Sequence, residues 1–145
     1  MLEKDEFRVV ECTWRTNETE LTAIRTEVFI REQNVPESEE MDDIDPLARH
    51  YLVFNPAGEA VATARYYQSK IGRIAVLKAQ RGLGLGALLL DFIIKNLPLK
   101  DRQDLSLNAQ TYAIPFYEKM GFVGVGEIFM DANIEHIKMI YKNQS

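Results

Sequence analysis

The sequence Arg81-Gly82-Leu83-Gly84-Leu85-Gly86 places a glycine at every second position between two apolar stretches. Residues 71–77 before it are β-prone, and residues 84–96 after it have the spacing of an amphipathic helix that ends before Pro98. Glycine allows positive φ and a close approach of the backbone, and the free N–H groups of a helix N-terminus attract anions. The turn therefore predicts a phosphate-binding site, to which Arg81 adds a charged donor.

Three other interpretations of this turn are less favoured. A strand-to-helix connection without a ligand does not need three alternating glycines. A nucleoside-triphosphate loop needs Lys followed by Ser or Thr, and neither follows these glycines. Gly82, Gly84 and Ala87 satisfy a dinucleotide pattern, but that pattern normally opens a parallel sheet of βαβ units. Here the preceding strands look antiparallel, and the chain after Gly86 is too short for a second nucleotide-binding half.

The rest of the chain alternates between strand and helix patterns. Strands are predicted at residues 7–15, 51–54, 60–67, 71–77, 105–109, 123–129 and 134–141, and helices at 18–32, 84–96 and 113–120. Asn17 with Glu20 resembles a capping box, and residues 33–48, with two prolines, are interpreted as a loop that could include one helical turn. This order predicts a mixed α/β fold, with a mostly antiparallel twisted central sheet of about six or seven strands and helices on both faces. We expect a single domain over residues 1–145.

Composition limits the possible partners and compartment. The 145 residues are 46% hydrophobic and 27% charged, with a net charge of −5. This charge argues against binding to nucleic acid or to anionic membranes, since no basic excess can neutralise phosphates. The single cysteine, Cys12, excludes an internal disulfide and a multi-cysteine metal site and fits a reducing cytoplasm. No apolar run approaches the roughly 18 residues of a membrane span.

Two blocks of the sequence resemble the GNAT superfamily of N-acetyltransferases. Arg81-x-x-Gly84-x-Gly86 is similar to the family's pyrophosphate-binding motif. Residues 107–122, which end in Phe-Tyr-Glu-Lys-Met-Gly-Phe, resemble its later strand and helix. Residues 25–36, with Asp45 and His50 beyond them, look like the small bacterial ElaA/YjcF-like branch. The resemblance spans about residues 7–141.

The resemblance implies a GNAT-like fold and acetyl transfer from acetyl-coenzyme A (acetyl-CoA) to an amine, without a metal. It implies that Tyr117 is catalytic and lies near the thioester sulfur. It also implies a set of residues that bind the cofactor: Ile74, Ala75 and Val76 along the pantetheine arm, Arg81, Gly82, Leu83, Gly84, Leu85 and Gly86 at the pyrophosphate, and Asn108 and Phe116 beside the arm.

The chemistry requires a proton acceptor for the amine, whose pKa is about 10.4 when it is an alkyl ammonium. His50, His136, Glu32 and water are the candidates. Tyr117 can protonate the departing thiolate, and a backbone N–H near Val76 can stabilise the carbonyl oxygen. Taken alone, Tyr117 also fits a core position on an apolar helix face. Without a nucleophile for a covalent intermediate, we expect direct transfer in a ternary complex.

The sequence leaves the acceptor open. Residues 32–45 hold seven acidic residues and no basic one, which fits a solvated loop or a rim that attracts cationic amines. Arg65 could instead bind an acidic group of the acceptor or form an ion pair. A small-molecule amine is the expected partner. The alternatives are a non-catalytic coenzyme A-binding regulatory module and a protein or peptide N-acetyltransferase. A homodimer through exposed strand edges is also possible.

Overall fold

The structure is a computed structural model that describes residues 6–142. Its strands are β1 (Arg8–Cys12), β2 (Arg49–Phe54), β3 (Ala60–Tyr67), β4 (Lys70–Val76), β5 (Ser106–Gln110), β6 (Phe122–Asp131) and β7 (Ile134–Tyr141). Its α-helices are α1 (Trp14–Arg25), α2 (Glu37–Glu40), α3 (Leu85–Lys95), α4 (Leu99–Gln103) and α5 (Ile114–Lys119). No helix within the described residues is long and apolar enough to cross a membrane.

The seven strands form one sheet in the order β1-β2-β3-β4-β5-β7-β6. Every neighbouring pair is antiparallel except β4 and β5, which are parallel. Their parallel pairing covers only Lys70 with Ser106 and Ile71 with Leu107. Beyond Ile71 the two strands separate, so the sheet opens in its middle. The mostly antiparallel sheet predicted from the sequence is confirmed.

Helices pack on both faces of this sheet, because alternate strand residues are apolar on both sides. On one face Leu21, Ile24 and Val28 of the first helical segment cover Leu52 and Ala75. On the other face the apolar side chains of α3 and α5 meet a larger core, which includes Tyr51, Val53, Ala62, Leu89, Ile93, Tyr117 and Phe122. The predicted two-sided arrangement is confirmed.

The first helix begins earlier than the sequence pattern predicts. Thr13 is its N-cap, and Thr13 and Thr16 form a reciprocal capping box. The predicted pair Asn17 and Glu20 is therefore wrong as the cap, and Asn17 instead sits at a kink with φ of −131°. The β-prone residues around Trp14 obscured this start. The helix then continues as a π-helical segment, Thr26–Glu32.

The later elements follow the predicted pattern, with two additions. Gly84 is the N-cap of α3 and Asn96 its C-cap, as expected. The segment 33–48 is interpreted from sequence as a loop that could include one helical turn, and it contains two, the short helix α2 and a 3₁₀ turn, Asp45–Leu47. The short helix α4 was also missed, since five residues carry too little periodicity to be recognised.

Candidate active site

The glycine turn forms an open backbone cradle at the start of α3. Gly82 and Gly84 both have positive φ, of +87° and +80°, which an L side chain adopts only with strain. Within the described residues, no side chain caps α3, so its first N–H groups have no side-chain acceptor. A cleft of about 260 Å³ lies here. Its lining comprises Val76, Gln80, Arg81, Gly82, Gly84, Leu85, Gly86, Ala87 and Phe116. We call it the glycine cleft.

Gly86 is needed for a different reason, which is close packing. A Cβ atom at Gly86 would lie 3.3 Å from Cζ of the Phe116 ring, which also lines the glycine cleft. The third glycine therefore brings α5 against the start of α3. Leu83 lies 41% exposed at the tip of the turn.

Arg81 is already engaged by protein groups. Its Nη1 and Nη2 donate to the two carboxylate oxygens of Glu32, at 2.5 and 2.7 Å, and its Nε donates to the Val76 carbonyl at 3.0 Å. The hydrogen bond from Arg81 holds the pKa of Glu32 below its ordinary value. The pair ties the end of the first helical segment to the glycine cleft, and it occupies both oxygens of a candidate base.

The edge of β4 facing β5 is open beyond Ile71. Leu77 N–H donates to the Val61 carbonyl at 3.0 Å, and Thr63 pairs with Ala75 in the same register. By the alternation of an antiparallel pair, Ala75 directs its backbone groups at β3, and Val76 directs its N–H towards the open edge. The Ala75 side chain is buried in the core on the α1 face.

A second cavity of about 260 Å³ occupies the opening between β4 and β5. We call it the central cavity. Its polar lining comprises Gln33, Arg65, Tyr67, Lys70, Arg73, Asn108, Gln110, Tyr112, Tyr117, Asp131 and His136. The side-chain amide of Gln110 donates to Gln33 at 2.9 Å and bridges β5 to the segment that follows the first helix. Ile74 also lines this cavity, so Ile74, Asn108 and Tyr117 share it.

Comparison with known proteins agrees with this geometry. Residues 16–143 match a family model described as an acetyltransferase (GNAT) domain. The chain belongs to the GNAT acetyltransferase family. It is 36% identical over 121 residues to an uncharacterized N-acetyltransferase, YjcF of Bacillus subtilis, covering 81% of this chain and 86% of that protein. Thus both the family and the ElaA/YjcF-like resemblance are confirmed.

Two solved structures are similar over nearly the whole chain. Escherichia coli ElaA has a TM-score of 0.77 at 26% identity, covering 92% of this chain and 97% of that one. An acyl-CoA N-acyltransferase from Pseudomonas aeruginosa has a TM-score of 0.76, also at 26% identity and with the same coverages. As a GNAT protein, the chain uses an acyl-CoA and an acceptor.

Tyr117 of this GNAT domain is nearly buried, with 9% of its surface exposed. Its ring lies edge-on to Phe116 and Phe122, with centroids 5.1 and 6.2 Å away. Burial raises the pKa of its phenol well above 10. The hydroxyl therefore stays protonated across the physiological range, and the same burial makes it a weaker acid than a free phenol.

The two histidines lie in very different surroundings. His136 lines the central cavity, and its Nδ1 lies 2.7 Å from the Ile134 carbonyl. A carbonyl only accepts, so Nδ1 carries the proton and Nε2 of the neutral ring is left as an acceptor. His50 is fully buried beside Trp14, with its Nε2 2.8 Å from the Asp45 carbonyl, and it does not line the cavity.

Behind the cavity lies a buried ion network, of which sequence analysis anticipated only that Arg65 could form an ion pair. Arg25 donates to Glu40 at 2.6 Å and to Asp45 at 2.9 and 3.1 Å. Arg65 donates to Asp42 and Asp45, and Arg73 pairs with Glu40 and Asp42. Burial alone would raise the pKa of Asp45, but the guanidinium groups of Arg25 and Arg65 outweigh it and hold that pKa below its usual range.

This network settles where much of the acidic segment 32–45 lies. Glu40 and Asp45 are buried, so they belong to neither a solvated loop nor an exposed rim. Asp42 is partly covered in the same network. The arginines and carboxylates of the network are more than 15 residues apart in several pairs, so no local spacing reveals them.

Proposed function

We propose that this GNAT protein transfers an acetyl group from acetyl-CoA to the primary amine of a small molecule, by direct attack in a ternary complex. The observation that supports this best is the open edge of β4. Val76 on that edge lines the glycine cleft, and Ile74 lines the central cavity. An extended cofactor arm along this edge would join the two spaces, as the family's chemistry requires.

The cofactor-binding roles follow from that placement. The N–H groups at Gly82–Gly86 and the dipole of α3 would hold the pyrophosphate. Backbone groups of Ile74 and Val76 would bind the pantetheine arm, which would pass between Phe116 and Asn108. Ala75 contributes to this strand through its backbone geometry, since its side chain belongs to the core. When bound, acetyl-CoA supplies the thioester that the amine attacks.

Three groups would carry the proton and charge movements. His136 would take a proton from the ammonium of the acceptor on Nε2, with its tautomer fixed by the Ile134 carbonyl. The Val76 N–H would stabilise the charge on the carbonyl oxygen. Tyr117, which lines the central cavity, would donate its proton to the departing sulfur as the carbon–sulfur bond breaks.

A covalent acetyl-enzyme is not part of this proposal. Cys12 lies on β1 opposite His50, and it is not among the residues of either cavity. Burial raises the pKa of its thiol to about 11, so the reactive thiolate is scarce at neutral pH. Direct transfer therefore requires both substrates to be bound together.

The test is release of free coenzyme A thiol from acetyl-CoA with a panel of small amines and peptides, with product masses measured. We expect acetylated small amines and thiol release that depends on the amine. Binding of acetyl-CoA without any release would favour the non-catalytic alternative. Release with peptides alone would favour the protein or peptide alternative.

We also propose that the protein acts as a single domain in the cytoplasm and forms a homodimer through β6. This strand lies at the edge of the sheet and exposes Val123, Ile128 and Met130. An exposed apolar edge strand favours pairing with another copy. Light scattering should give a dimeric mass that Ile128→Lys reduces to that of a monomer. A monomeric wild-type protein would contradict this proposal.

A further inference from the structure

Arg65 enters the central cavity with part of its guanidinium unused. Its Nη1 donates both to Asp42 at 2.8 Å and to Asp45 at 2.9 Å. Among residues 6–142, no group accepts a hydrogen bond from its Nε or Nη2. Only 9% of the residue is exposed, yet neither nitrogen is sealed from solvent, since His50 Nδ1 is the only buried side-chain nitrogen or oxygen without a partner among the described residues. These two charged donors are accessible and have no protein acceptor, so they can bind an acceptor that a ligand supplies in the central cavity.

The carboxylates hold Arg65 without covering it. Asp42 and Asp45 do not line the cavity, whereas Arg65 does. Both bind the same nitrogen, which fixes the guanidinium and leaves the edge formed by Nε and Nη2. That edge presents two parallel donors, which match two oxygens of a carboxylate or a phosphate.

Two further cations lie on the same wall. Arg73 shares Asp42 with Arg65 and has φ of +50° at an irregularity in the pairing of β3 with β4. A non-glycine residue in this conformation is strained, by roughly 1 kcal/mol or more. Lys70 is exposed and makes no ion pair within the described part of the chain. Against these three cations, Asp131 is the carboxylate among the described residues that lines the cavity.

We propose that the acceptor is an amine that also carries an anionic group, a carboxylate or a phosphate, which binds the Nε and Nη2 edge of Arg65. This rests on the proposed function and names its substrate class. Lys70 and Arg73 add attraction from the same wall, and the amine end meets His136 and Tyr117. A polyamine is disfavoured, because its second ammonium cannot accept hydrogen bonds from the donor edge of Arg65 and would lie near Lys70, which makes no ion pair within the described residues.

The test compares matched amines by calorimetric titration of the protein saturated with coenzyme A. The pairs are 4-aminobutyrate with butylamine, and O-phosphoethanolamine with ethanolamine, and putrescine represents polyamines. We expect at least one member with a carboxylate or phosphate to bind about 10 to 100 times more tightly than the partner that lacks this group, the effect of a hydrogen bond to a charged group. The pair with the larger ratio distinguishes a carboxylate from a phosphate.

Variants locate the effect. Arg65→Lys keeps the charge next to Asp42 and Asp45 but removes the two-donor edge, so the preference should disappear. Arg49→Lys is the matched control, since Arg49 is exposed on β2 and does not line the cavity. Lys70→Met replaces an exposed, unpaired residue and should fold normally while weakening anionic binding about threefold, within the range of exposed ion pairs.

The inference is wrong if neither anionic amine binds more tightly than its partner, or if Arg65→Lys leaves a preference intact. This readout is independent of acetyl transfer. A preference without thiol release would contradict the proposed function alone. Thiol release at the same efficiency with amines that lack a carboxylate or phosphate would contradict the anionic acceptor alone.

Discussion

The glycine cleft and the central cavity are built in opposite ways. The glycine cleft depends on backbone conformation within a few consecutive residues, with Gly82 and Gly84 at positive φ and an uncapped helix behind them. The central cavity collects side chains from β3, β4, β5, β7, α5 and the segment after α1. The glycine cleft can therefore be predicted from a short sequence motif, whereas the residues of the central cavity come together only in the folded chain.

This contrast separates binding of the cofactor phosphates, which depends on backbone groups, from recognition of the acceptor, which depends on side chains. Backbone N–H groups can hold a phosphate whatever side chains surround them. Acceptor recognition instead depends on how Arg65, Arg73 and His136 are placed by distant neighbours. The variants below test whether the two regions are as separable as this picture requires.

Gly84→Asp should have the largest effect and be confined to the glycine cleft. A carboxylate and a Cβ at the phosphate site should abolish acetyl-CoA binding. In the wild-type protein, acetyl-CoA at 100 times its Kd adds about 2.7 kcal/mol to the free energy of unfolding and raises the Tm. The Gly84→Asp variant should show no such rise in thermal unfolding. Gly58→Asp is the control, because Gly58 also has a positive φ, of +86°, and no atom lies within 4 Å of an added Cβ. Gly58 does not line the glycine cleft. Equal loss of binding in both variants would mean that strain, not the cradle, is responsible.

Tyr117→Phe should slow turnover while leaving both binding regions intact. Loss of one general acid lowers kcat by about 10²-fold. Because burial raises the pKa of Tyr117, the ratio of wild-type to variant kcat should stay constant between pH 7 and pH 9. Tyr141→Phe is the control, since Tyr141 also packs on Phe122, with centroids 5.3 Å apart. An unchanged kcat in Tyr117→Phe, with chemistry limiting, would make Tyr117 structural.

Much of the fold could be predicted because its signals are local. Residues 51–54 are apolar and residues 60–67 are β-prone, and the turn sequence Asn55-Pro-Ala-Gly58 lies between them. This pattern predicts a hairpin, and β2 and β3 form one. The helix after Gly84 starts and ends as expected, since glycine and proline mark both limits. The first helix was misplaced because the cap at Thr13 lies among β-prone residues, where two local signals compete.

In the candidate site, too, the residues that could be predicted are those close together in sequence. The motif residues at Arg81–Gly86, apart from Leu83 at the tip, meet Phe116 in one cleft, and their role in binding the cofactor stays a prediction. The partners of Arg65 could not be predicted, because Asp42 lies 23 residues away in a segment without periodicity. Nor does sequence distinguish His50 from His136. The register of the strands determines which one lines the cavity.

His136→Gln tests whether the central cavity supplies the base. We expect kcat/KM for an amine to fall by about 10²-fold or less near pH 7, the lower range for acid–base catalysis. The deficit should shrink as pH approaches the amine pKa of about 10.4, because the free amine then needs no acceptor. A deficit that is independent of pH would instead indicate a role of His136 in binding.

The smallest effect concerns His50, which the structure separates from the cavity. Burial lowers the pKa of His50 in the folded state. At pH values between the folded pKa and about 6.5, the unfolded chain therefore binds more protons than the folded one. The contribution of His50 to the free energy of unfolding is complete above about pH 6.5. It is lost as pH falls towards the folded pKa, by at most about 1.4 kcal/mol per pH unit. Chemical denaturation at pH 5 to 7 should show a smaller slope for His50→Gln. An identical slope would mean that His50 does not titrate in this range.

The most direct test is a crystal structure with a non-hydrolysable acetyl-CoA analogue. We predict that the pyrophosphate lies on the N–H groups of residues 82–86. The arm should follow the open edge of β4, with the acetyl carbonyl near the Val76 N–H and the sulfur position near Tyr117. A pyrophosphate bound away from the glycine turn, or an arm that never enters the opening between β4 and β5, would contradict the account.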